Sequence, residues 1–312
     1  MHIALLGTAA GGGLPQWNCG CPNCLSARAA SPAVTPRHQS SLAVSADGVR
    51  WVLVNASPDV RLQLAATPAL HPRGLRDSPV SAVVLSNADI DHALGLFVLR
   101  EGGAPPIYAT PRVKRALVDG LRIVPVLSAY GPVALRTLHT DAPCALHDRA
   151  GLDLGLRVSA FTVASKPPPY MLPLLQPHER ADLYAGDTVG LVFSTEADPE
   201  TRAVYVPGVK TLDARLAAHF QGARLILVDG TCFTDDELVR LGCSAKTALE
   251  MGHAPLSGPG GMAEFLAQFG EAERVLVHIN NTNPILDASS EARRWLEARQ
   301  LSVGYDGQRW VL

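Results

Sequence analysis

Apolar positions in this chain fall in short, β-branched runs broken by turn residues, with helical patches between them. Residues 2–6 (HIALL) predict a strand. Residues 40–46 (SSLAVSA) and 50–54 (RWVLV) flank Asp47-Gly48 and predict a hairpin. A helix over 59–66 is opened by Ser57-Pro58. The continuous apolar run 81–85 predicts a buried strand. Another strand follows at 107–109, then a helix over 110–119 with Thr110 as cap and Pro111 in its first turn. The second half repeats the style. Strands are expected at 156–164, 189–194 and 202–206, a helix at 212–219, a strand at 224–228, a helix at 259–268, a strand at 274–279 and a helix at 289–299. A last strand pair, 301–305 and 309–312, is expected around Asp306-Gly307. No linker or low-complexity tract separates the halves, so a single domain over 1–312 is expected. Its class is α/β: two β-sheets packed as a sandwich and covered by helices.

Composition narrows the function classes. With 47% apolar and 18% charged residues there is ample material for a large core. A net charge of −2 leaves no field to recruit nucleic acid or an anionic membrane, so neither is expected as a partner. Met1–Leu6 lacks a basic flank and a long apolar stretch, unlike a secretory signal. No run approaches the roughly 20 apolar residues of a membrane span. A cytoplasmic location is expected, and there the six cysteines would remain thiols. Cys144, Cys232 and Cys243 are scattered and expected in the core.

The other three are clustered as Cys19-Gly20-Cys21-Pro22-Asn23-Cys24. Three thiolates at this spacing suit tetrahedral zinc, and the intervening glycine and proline allow a tight loop, about 17–26, that turns the sulfurs inward. Buried free thiols or a redox pair are the competing readings. A site with four protein ligands would be structural, its fourth ligand coming from elsewhere in the chain. Gly11–Gly13 has no following Lys-Ser/Thr, which argues against a nucleotide loop.

A second cluster lies at 83–95, where the run Val83-Val84-Leu85 ends, Ser86-Asn87-Ala88-Asp89-Ile90-Asp91-His92 follows and an apolar helix begins. Chemistry in α/β sheets sits at such strand ends. Alone, Asp91-His92 reads equally well as a helix cap beside a surface histidine. The string nevertheless resembles the His-X-His-X-Asp-His turn of metallo-β-lactamase-type proteins, with Asn87 and Asp89 in place of its first two histidines. Tyr205-Val206-Pro207-Gly208-Val209 resembles that family's aspartate turn, with Gly208 at the bridging position. A histidine expected near 163–170 is absent, and His278 matches the last metal histidine. The resemblance implies an αββα sandwich and leaves Asp91, His92 and His278 as ligands. Two histidines and a carboxylate form the facial triad of non-haem Fe(II) oxygenases. A two-metal hydrolytic clamp cannot be built from them.

Three strings narrow the resemblance: Leu6-Gly7-Thr8-Ala9-Ala10-Gly11-Gly12-Gly13-Leu14-Pro15-Gln16-Trp17-Asn18-Cys19, Met251-Gly252-His253, and His278-Ile279-Asn280-Asn281-Thr282-Asn283-Pro284. They are similar to a branch of the superfamily that acts in the biosynthesis of pyrroloquinoline quinone (PQQ). This resemblance implies an oxygenase with Fe(II) on Asp91, His92 and His278 and a structural Zn(II) on Cys19, Cys21 and Cys24. Its substrates would be O2 and the cross-linked Glu–Tyr intermediate, hydroxylated on the tyrosine ring. His253 would move protons or, equally, be a helix-flanking structural histidine or zinc ligand, and Asp229 would line the site or cap Gly230-Thr231. Asn87 and Asp89 would orient the ligands from outside. In related phosphodiesterases a histidine three residues beyond the last metal histidine is the fourth zinc ligand. Here that position is Asn281, a poor ligand expected only to flank the site. A soluble carrier of PQQ or its precursor towards the periplasm, and a one-zinc hydrolase, are the competing functions. Other proteins of the pathway, or a second copy of the chain in a homodimer, are the expected protein partners.

Overall fold

The computed structural model describes residues 1–140 and 142–312. The chain divides into two compact units. One is assembled from Met1–Leu6, Ser41–Thr201 and Gly307–Leu312, the other from Gly7–Ser40 and Arg202–Asp306.

The first unit holds β1 (His2–Gly7), β2 (Ser41–Ser45), β3 (Trp51–Val54), β4 (Val80–Val84), β5 (Ile107–Ala109), β6 (Leu135–Thr137), β7 (Cys144–His147), β8 (Asp153–Thr162) and β9 (Val189–Thr195). β2 and β3 form the expected antiparallel hairpin, whereas β3, β4, β5 and β6 run parallel. Ala82, Val83 and Val84 of β4 are wholly buried. That suits a strand with neighbours on both edges and cover on both faces, and it explains why its sequence shows a continuous run and no alternation. β7, β8 and β9 form an antiparallel meander. Thr110 caps the helix Pro111–Arg115 by accepting from the Val113 N–H, and the helix then widens into a π turn at Ala116–Gly120.

The second unit is built on β10 (Ala203–Val206), β11 (Leu225–Asp229), β12 (Glu273–Val277) and β13 (Ser302–Val303), all parallel. The last strand, β14 (Arg309–Val311), pairs antiparallel with β1. The sequence-based expectation that 301–305 and 309–312 pair with each other is therefore wrong. β13 continues the parallel sheet, and the chain turns at Asp306-Gly307 to close the edge of β1. Asp306 is held there by Thr8 Oγ1 and the His38 N–H. The cysteine segment is also only partly a loop, because Pro22–Arg28 is helical. Among the described residues no helix is long and apolar enough to cross a membrane.

Candidate metal centres

In the first unit the segment after β4 is clamped before it reaches its ligating residues. Asn55, at the end of β3 with φ 62°, accepts from the Ser86 N–H through Oδ1 and donates to Ser86 Oγ through Nδ2. The Ala56 N–H donates to the His92 carbonyl, and the Gly95 N–H to the Ala56 carbonyl. A side chain at 95 would collide with the Ser57 carbonyl, so only glycine lets the two segments approach this closely. Within the clamp, Asn87 Nδ2 donates to Asp89 Oδ2 at 2.9 Å, and Asn87 Oδ1 lies 2.7 Å from His92 Nδ1. Because the Asn87 amide nitrogen is committed to Asp89, its oxygen accepts. His92 therefore carries its proton on Nδ1, and Nε2 is the lone-pair atom. Asp91 Oδ2 stands 3.7 Å from that Nε2, a separation two ligands of one ion can adopt.

In the second unit β11 and β12 end side by side. The Gly230 N–H donates to the Val277 carbonyl at 2.7 Å, and a Cβ at 230 would lie 2.9 Å from Leu276 Cβ. β12 is followed by His278, which is held at φ 54°, a left-handed conformation rarely taken outside glycine and asparagine. Asp229, His253 and His278 come together, with ligand atoms within 4.8 Å of one another. The centre of this group is Thr231. Its hydroxyl lies 2.6 Å from Asp229 Oδ1 and 3.0 Å from His278 Nδ1. Donating to the carboxylate, it accepts from His278 Nδ1, which again leaves Nε2 as the donor to a metal. Thr231 carries no signal in the sequence beyond standing two residues past Asp229.

Asp229 is fully buried and receives four donors: the Val209 and Thr231 N–H groups, Thr231 Oγ1 and His253 Nδ1. Burial works against its charge, but His253, His278 and Thr231 outweigh it and hold the carboxyl below its ordinary range. A carboxylate has about four lone-pair sites, and here all are used. Asp229 thus holds His253 Nδ1 and accepts from the Thr231 amide and hydroxyl. Its chemistry does not fit a metal ligand. The His253 and His278 rings stack at 5.3 Å and 21°.

Cys19, Cys21 and Cys24 also gather, their sulfurs within 4.8 Å of one another. The Gln16 N–H donates to Cys24 Sγ and the Cys21 N–H to Cys19 Sγ. Burial opposes ionisation of Cys19, yet the Cys21 amide and the neighbouring side chains lower its pKa. Burial and the adjacent sulfurs push Cys21 up to about 12. Three packed thiols cannot all ionise without a cation among them, so the donor set fits a thiophilic dication. The loop is tied down by Asn23, whose Nδ2 donates to the carbonyls of Asn281 and Asn283. Cys232 is buried as expected, but Cys243 is exposed, contrary to the expectation of a core residue. It stands on a surface turn, where its thiol donates to the Leu241 carbonyl.

These halves match a known architecture. A family model described as the beta-lactamase superfamily domain matches residues 50–279, and the chain belongs to the metallo-β-lactamase superfamily, with its two mixed β-sheets flanked by helices. Within it, the chain belongs to the family of coenzyme PQQ synthesis protein B. It is 44% identical over 310 residues to that protein of Pseudomonas aeruginosa, covering 98% of each chain. Identity to that of Methylococcus capsulatus is 43% over 314 residues, covering all of both. The crystal structure of Zn(2+)-bound PqqB from Methylobacterium extorquens is similar over the full length of both chains, with a TM-score of 0.89 and 41% identity.

Proposed function

We propose that this chain acts in PQQ biosynthesis as an Fe(II)-dependent oxygenase that hydroxylates the tyrosine ring of the cross-linked Glu–Tyr intermediate. Asp91, His92 and His278 would hold the iron. Cys19, Cys21 and Cys24 would hold a structural zinc. The family's role in coenzyme PQQ synthesis supplies the pathway, and the Zn(2+)-bound relative supports metal binding.

One observation carries the assignment of ligands. His92 and His278 each have Nδ1 committed to a fixed oxygen, Asn87 Oδ1 and Thr231 Oγ1, which sets Nε2 as the ligand atom. Asp229, the rival carboxylate, is saturated. The remaining set is two imidazoles and Asp91, which suits Fe(II) with open positions. Bound there, iron would supply the activation of O2. The protein's part is orientation and proton handling. Asp229 fixes a proton on His253 Nδ1, so His253 Nε2 is the atom that accepts the proton leaving the ring. Each turnover replaces a ring C–H by C–OH with one atom of O2. The other atom leaves as water, which requires two electrons from an added reductant.

The test is anaerobic loading of the protein with Fe(II), followed by the intermediate, ascorbate and O2. Product mass and oxygen uptake are recorded beside His92→Ala. Added oxygen that disappears in the variant supports the reading. Tight PQQ binding with no oxygen uptake, unchanged in the variant, would make the protein a carrier, and anaerobic turnover would make it a hydrolase.

A further inference from the structure

We propose that the side chain of Asn281 is the fourth ligand of the zinc, binding through Oδ1 to complete a three-cysteine, one-asparagine site. The inference rests on reading the cysteine cluster as a zinc site. The amide head of Asn281 faces all three sulfurs: its Nδ2 lies 3.0 Å from Cys19 Sγ, 3.5 Å from Cys21 Sγ and 3.3 Å from Cys24 Sγ. That is the fourth corner of a tetrahedron. With Zn–S near 2.3 Å and Zn–O near 2.1 Å, an oxygen there would stand about 3.6 Å from each sulfur. The residue is 4% exposed, and its carbonyl is held by Asn23 Nδ2. Only the amide must turn. The two ends of an asparagine amide have the same shape. Oδ1 of Asn281 accepts no hydrogen bond among the described residues, so turning it breaks nothing on that side. Facing bare sulfurs, the N–H end is favoured; facing a dication, the oxygen is.

Two rivals are weaker. Cys243 is exposed, its thiol donates to the Leu241 carbonyl, and it is not among the sulfurs gathered within 4.8 Å. A water ligand would have to displace an amide already buried at that corner. A neutral oxygen donor is weaker than imidazole, so this zinc should exchange faster than one with histidine at the fourth corner.

The test is Co(II) substitution in the full-length protein. Thiolate-to-cobalt charge transfer reports only the cysteine site, since the proposed iron ligands contain no sulfur. Expected are charge-transfer intensity unchanged in Cys243→Ser and ligand-field bands shifted in Asn281→Ala. Zinc release to a chromophoric chelator should be about tenfold faster in Asn281→Ala and slower in Asn281→His. Asn281→Asp, the same shape, serves if the alanine variant does not fold, and it too should slow release. Intensity lost by about a quarter in Cys243→Ser would assign the corner to Cys243. Bands indifferent to both substitutions would assign it to water. Either overturns the proposal. No charge-transfer band in the unaltered protein would instead sink the zinc reading itself.

Discussion

Asp229 shows how far a single residue's role depends on what surrounds it. By composition it is one more carboxylate beside two histidines, and a metal ligand by proximity. Its four donors make it a fixed anion whose task is to hold His253. Asp229→Asn keeps the shape but puts an N–H2 group where N–H donors converge, so the tautomer of His253 is lost. Turnover should fall about 10²–10⁴-fold, the range of a lost general acid–base, while iron content stays that of the unaltered protein. Rapid-quench turnover with metal analysis checks both, and a parallel loss of iron would make Asp229 a ligand after all. Thr231→Val should do the opposite. It removes the acceptor for His278 Nδ1, so metal affinity should drop about 10–100-fold, as measured by competition with a chelator. Asp91, His92 and His278, the proposed ligands, were picked out by the family resemblance, since Asp91-His92 alone reads equally well as a helix cap beside a surface histidine. Thr231 was not, because its importance comes from lying among three residues distant in the chain from one another.

Among the elements, the β2–β3 hairpin is held by Asp47. Its Oδ1 accepts from the N–H groups of Val49 and Arg50, and its Oδ2 from Arg50 Nε. Partial burial opposes the charge, but the Arg50 and Val49 amides, the Arg50 guanidinium and Ser45 outweigh it, bringing the pKa down to about 2. A folded pKa below the unfolded value of about 3.9 means the stabilisation is complete above that value and fades as pH falls towards 2. The side chain is 34% exposed, so screening reduces the gain to about 1 kcal/mol. Urea unfolding of the unaltered protein and Asp47→Ala should therefore differ at pH 6, and the difference should close only as pH falls through about 2; a gap independent of pH would count against it. The same hairpin was plain in the sequence, because alternation and Asp-Gly coincide in a few adjacent residues. Less plain were β6 and the pairing of β13 and β14. β6 has three half-buried residues and no pattern. β13 and β14 look like a hairpin locally, but their partners, β12 and β1, are set by pairings with distant segments. The helix expected at 259–268 is regular only over Met262–Leu266, since Gly258, Gly260 and Gly261 make a turn before it.

For the whole molecule the decisive matter is that the proposed iron would draw on residues far apart in the chain, Asp91 and His92 after β4 and His278 after β12. A ligand that binds only the folded state adds stability by mass action, about 2.7 kcal/mol at a hundredfold excess over Kd. If one metal is shared, His92→Ala and His278→Ala should each remove most of that metal-dependent gain, and the double variant should remove no more than the worse single. Losses at independent sites add, whereas losses at one shared site do not. The measurement is the shift in Tm on adding Fe(II) under argon, for the four proteins of the cycle, each with its cysteine zinc in place. Additive losses would mean that the two histidines do not serve one metal. The facial triad would then fail as a unit even if turnover needed both residues. A shared metal, by contrast, ties the two ligating segments to one binding equilibrium. Chelating the iron would then loosen the ends of β4 and β12 together, and hydrogen exchange at the amides of 86–92 and 278–283 should rise in concert.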